Sequence, residues 1–73
     1  MRPLHDSISF TELLGLNAGD KVIFRLVNDE QISGTLDTVS PQYDEFTFVG
    51  RGVHIHGIEI ARIEKHIPGN HST

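Results

Sequence analysis

The 73 residues predict an all-β fold, a small, strongly bent, five-stranded antiparallel barrel with a short N-terminal α-helix. Three observations lead there. From Lys21 to Ile67 apolar residues tend to recur at every second position, the period of a half-buried strand. The runs are short and separated by turn-forming clusters, at Asn28-Asp29-Glu30, Ser40-Pro41-Gln42-Tyr43-Asp44, Gly50-Arg51-Gly52 and Gly57. A flat sheet of this size would leave two open edges and half its apolar surface in water, and curling buries both.

The elements follow in order. Residues 1–8 lack periodicity and read as a flexible arm. Ser9-Phe10-Thr11-Glu12 has the spacing of a capping box, in which the serine oxygen accepts from the glutamate N–H and the glutamate reaches back. This predicts about two turns of helix with Phe10, Leu13 and Leu14 on one face, ended by Asn17-Ala18-Gly19-Asp20. In the first strand Val22, Phe24 and Leu26 face the core, alternating with Ile23, Arg25 and Val27. In the second, Ile32, Gly34 and Leu36 face one way and Ser33, Thr35 and Asp37 the other. Gly34 permits a bend or a close approach. Phe46 and Phe48, between Glu45 and Thr47, make the third strand, and both belong with Phe24 in the core. Val53 and Ile55 alternate with His54 and His56 in the fourth. Ile60 or Ala61 through Ile67 is the fifth, closed by Pro68-Gly69. The domain so defined spans residues 9–68, with 69–73 as a polar tail.

Composition narrows the function. The length suits one domain. The 37% of hydrophobic residues suffices for one core, and a domain this small gains from oligomerisation. No cysteine is present, which excludes disulfides and thiolate zinc sites. A formal charge of −4 opposes non-specific wrapping of long nucleic acid but leaves room for a local site. No apolar stretch has membrane-spanning length, and Met1-Arg2-Pro3 is not followed by the apolar run of a signal peptide. No membrane partner is expected, and a cytoplasmic location is. Catalysis finds no support. Ser7, Ser9, Ser33, Ser40 and Ser72 lack a nucleophile signature, and the carboxylates form no evident raised-pKa pair. Neither enzymatic activity nor a cofactor is expected. His54 and His56 share a strand face and could begin a metal site, but no third ligand is fixed by spacing. The alternative is a pair of solvated histidines.

The order of these residues resembles the Sm and Sm-like family. Gly19, Val22, Phe24, Leu26, Asn28, Ile32, Gly34 and Leu36 match its first motif, and Ile55-His56-Gly57 with Ile60 and Ile63 is similar to its second. The resemblance covers residues 10–67. It implies a helix on a bent five-stranded barrel, and a homo-oligomeric ring in which the fourth strand of one subunit pairs with the fifth of the next. It further implies binding of short single-stranded RNA at two loops around the pore. Tyr43 falls at the stacking position, and Asp44 stands where the family has asparagine. Ser40 replaces an aspartate and His56 an arginine, with Gly57 beside it. The RNA-binding set so implied is Tyr43, Asp44, His56 and Gly57. Two other readings remain open. One is a monomeric acidic module similar to Rof, an Sm-like inhibitor of the Rho terminator, with Asp44 and Glu45 imitating phosphate for a basic protein partner. The other is a structural ring without RNA. Locally, Tyr43 is a stacking platform or a ring resting on the barrel rim. Asp44 and Glu45 are solvated or a phosphate mimic. Arg51 reaches an anion or leaves its charge in water.

Overall fold

A computed structural model describes residues 6–69. The order is α1 (Phe10–Leu13), β1 (Lys21–Leu26), β2 (Gln31–Ser40), a 3-10 turn (Pro41–Tyr43), β3 (Glu45–Phe48), β4 (His54–Ile55), a second 3-10 turn (Gly57–Glu59) and β5 (Ile60–Ile67). All strand pairs are antiparallel, in one sheet of order β4-β3-β2-β1-β5. Among the described residues no helix is long and apolar enough to cross a membrane.

One face of this sheet makes the core. Val22, Phe24, Leu36, Phe46, Phe48, Ile55 and Ile60 are buried there, joined by Leu13 and Leu16. Each large side chain so buried contributes about 1.5–3 kcal/mol. The three phenylalanines meet edge to face, with the Phe24 ring centroid 6.4 Å from Phe46 and 5.8 Å from Phe48.

Strand β2 is what bends the sheet. Its first half pairs with β1 and its second half with β3, across a bulge between Leu36 and Thr38. Gly34 has φ +153°, and a Cβ there would lie 2.9 Å from Cδ2 of Phe48. The close approach is therefore by an aromatic ring, which folds over the missing side chain.

Two expectations are corrected. The first is the helix, which is a single turn over Phe10–Leu13. Ser9 does not cap it; its hydroxyl instead donates to the Glu12 carboxylate at 3.4 Å. Phe10 and Leu14 are exposed, while Leu13 and Leu16 are buried. Gly15 disfavours a second turn, so the 10/14 face is never laid on the sheet.

The second correction concerns closure. β4 and β5 are not paired, so the hydrogen-bonded ladder does not close into a barrel. β4 has only two residues, and Val53 lies outside it, exposed. The sheet is nonetheless curled. The outer strands of a flat five-stranded sheet lie about 19 Å apart. The link from Ile55 to Ile60 reaches only about 17 Å when fully extended, and its 3-10 turn shortens it further. The Val27 N–H donates to the Glu59 carbonyl at 2.8 Å, and the Ile8 N–H to the Ile60 carbonyl at 2.7 Å. These bonds hold the corner where a β4–β5 ladder would otherwise begin.

Ile8 also packs against the core, and the Gly69 N–H is bonded to Asp20, so the folded body reaches past both ends of 9–68. The rest of the expected arm and tail, residues 1–5 and 70–73, lies outside the described residues.

Candidate functional site

The loop after β2 and the turn after β4 meet. Pro41 starts the 3-10 turn with its fixed φ, and Asp44 ends it in the left-handed region at φ 58°. That reversal brings the Asp44 side chain back to the second loop, where Oδ1 accepts from the Gly57 N–H at 2.8 Å. The Asp44 carbonyl accepts from His56 Nδ1, also at 2.8 Å. One residue thus ties both loops together, through side chain and backbone. Glu59 adds to the clamp by accepting from the His56 N–H at 3.0 Å.

The fit at Gly57 is tight. A Cβ there would overlap Asp44 Oδ1 and lie 2.8 Å from Cδ1 of Leu13. Beside the clamp is a recess of about 180 Å³ lined by Ile8, Phe10, Leu13, Asp44, Gly57 and Ile58. Tyr43 is 74% exposed, which leaves most of its surface open to solvent.

Electrostatics give His56 a defined state. A carbonyl can only accept, so Nδ1 carries the proton and Nε2 is left to act as acceptor when the ring is neutral. The bond to the Asp44 carbonyl raises the imidazole pKa above its ordinary 6.5, and the Glu59, Asp44 and Glu45 charges add to the rise. Protonation turns Nε2 into a cationic donor. His54 is paired differently, through Nδ1 to the Glu45 carboxylate. Among the described residues no group of three or more histidines and carboxylates could hold a metal ion. Arg51 is exposed, its guanidinium 6.0 Å from the Phe48 ring centroid.

The four expected residues Tyr43, Asp44, His56 and Gly57 are therefore neighbours, but Asp44 and the Gly57 N–H are occupied with each other. Asp44 acts as a brace, and the groups left to a ligand are the Tyr43 ring and His56 Nε2.

Asp20 is the residue the sequence hid. It is 1% exposed. Oδ2 accepts from the Asn17 N–H at 3.0 Å and faces His66 Nε2 at 2.7 Å, while Oδ1 accepts from the Gly69 N–H at 2.8 Å. Burial alone would raise its pKa, but the bonds from Gly69, His66 and Asn17 together hold it below the usual 3.8. A signal for it existed only in hindsight, as an aspartate just before a strand and a histidine near the chain's end. No family model matches the chain, and no curated protein or solved structure matches it either.

Proposed function

We propose that this chain is an Sm-like subunit that assembles into a homo-oligomeric ring and binds short single-stranded RNA at the Tyr43–His56 rim. The observation that carries the reading is an exposed tyrosine one residue before the Asp44 that clamps a protonatable histidine. Stacking on such a ring suits unpaired bases, and a nearby imidazolium suits a phosphate. Assembly is supported by the strand order, which leaves β4 and the eight-residue β5 as the two sheet edges. Edges of this kind are satisfied when one copy's β5 meets another's β4 in a closed cycle. The Rof-like reading asks for a free acidic pair, whereas here Asp44 is bonded to Gly57 and Glu45 to His54.

Fluorescence anisotropy with short labelled oligouridylate and oligoadenylate tests the reading. Tyr43→Ala is expected to weaken binding by roughly 5- to 150-fold, the worth of one stacked base, with melting unchanged. Equal affinity for wild type and variant would overturn the stacking role. Light scattering on the same samples should give a mass of several subunits. A monomer that ignores RNA would return attention to a basic protein partner.

The same titration reads the pH dependence. The raised His56 pKa means that the ring is protonated at and below its ordinary pKa and loses its proton as the pH rises through the higher folded value. RNA affinity should therefore fall as the pH rises above 6.5 in the wild type. His56→Gln should flatten that fall. A wild-type curve that His56→Gln leaves unaltered would remove His56 from the site.

A further inference from the structure

The face of the sheet opposite the core carries a separate feature. Residues directly opposite in an antiparallel pair share a face. On that face Ile67, Lys21 and Thr35 form one row across β5, β1 and β2, and Lys65, Ile23 and Ser33 form the next. These six residues line a depression of about 230 Å³. The two lysines are diagonal neighbours, each with an isoleucine alongside, and the hydroxyls complete the third column.

The charge on this face is uneven. The chain has six lysines and arginines, and four of them, Lys21, Arg25, Arg62 and Lys65, lie on β1 and β5. Glu64 pairs with both arginines, bonded to Arg25 at 3.1 Å and Arg62 at 2.9 Å, with Gln31 completing the network at 2.9 Å. Among the described residues no carboxylate forms an ion pair with Lys21 or Lys65. The two ammonium groups thus stand on one sheet face of an acidic protein without a carboxylate counter-charge among the described residues, which leaves both open to an outside anion.

We propose that this depression binds a small organic phosphate monoester whose apolar substituent lies on Ile23 and Ile67. The charge matches: two ammonium groups face a group that carries about −1.5 to −2 at neutral pH. The donors match as well, since two ammoniums and two hydroxyls face three acceptor oxygens. The isoleucines supply the apolar contact that a bare ion would leave unused. The site is on the outer sheet face, apart from Tyr43, and does not depend on the RNA reading.

Hexyl phosphate is the probe, followed by amide chemical shifts and by calorimetry. Binding should move the Ser33 and Thr35 signals. The double variant Lys21→Gln with Lys65→Gln should lose affinity by about tenfold or more, as loss of two charge-assisted contacts implies, while melting as before. Tyr43→Ala should bind hexyl phosphate like the wild type. Hexanol binding as tightly would overturn the role of the lysines, and inorganic phosphate binding as tightly would overturn that of the isoleucines. Full affinity in the double variant, or no binding of hexyl phosphate at all, would refute the site.

Discussion

Replacing Asp20 with alanine is expected to lower the melting temperature by roughly 10–20 °C. The carboxylate is buried and faced by three donors, on Asn17, His66 and Gly69. Alanine removes the acceptor and leaves those donors without a partner, at about 1–3 kcal/mol for each one kept from water. A chain of this length holds only about 4–11 kcal/mol in total. Asparagine is no remedy, because one of its two side-chain atoms is a donor and would face a donor. Both variants should melt early by calorimetry, and an Asp20→Asn protein as stable as the wild type would show that the charge is dispensable. Acid should act the same way. Because the folded pKa is depressed, the stabilisation is complete above the ordinary value of 3.8 and is lost as the pH falls through the lower folded value. Unfolding should therefore set in below about pH 4, and Asp20→Ala should lack that component.

Gly57→Ala is expected to cost about 2–4 kcal/mol, from overpacking and from the lost bond to Asp44 together. The new methyl overlaps Asp44 Oδ1 and presses on Leu13, which is itself buried under the sheet corner. Neither can withdraw freely, since the Asp44 carbonyl is held by His56 and Leu13 by the core. The loop bearing Tyr43 must move, so RNA affinity should fall along with stability. Gly52→Ala is the control, because a Cβ there meets nothing within 4 Å. Equal melting of the two alanine variants would mean that the contact between the loops bears no weight.

How far the sequence was legible depended on whether period two survived. β1 and β3 keep it, and their inward residues Val22, Phe24, Phe46 and Phe48 were read as core and are core. β5 does not keep it. Register shifts opposite Ile23/Phe24 and Arg25/Leu26 make Ile60, Ile63 and His66 the partners of Leu26, Phe24 and Val22, a spacing of three rather than two. An alternating pattern cannot reveal that His66 turns to the side of Asp20. The same shifts bring Lys65 level with Ile23, so the grid on the outer face was equally invisible. Of the candidate site, the four residues were visible as two separate loops, and their resemblance to a known pair of loops joined them. That Asp44 spends its carboxylate on Gly57 was not visible, because it depends on one left-handed residue at the end of a 3-10 turn. The helix was overread because a capping-box spacing does not by itself extend a helix across a glycine.

The strand order sets a sequence of events in time. β1, β2, β3 and β4 pair with their neighbours in the chain, so those hairpins close short loops and form early. β5 alone is expected to wait, since the first residue of β1, Lys21, meets the last residue of β5, Ile67, and that contact closes the longest loop of any strand pair. Its docking is the expected late step, which stopped-flow refolding of β5 variants would check. Changes in β5 then act on how fast the protein opens, while changes at the β2 bend act on how fast it forms. The lifetime of the folded state thus rests on the strand added last.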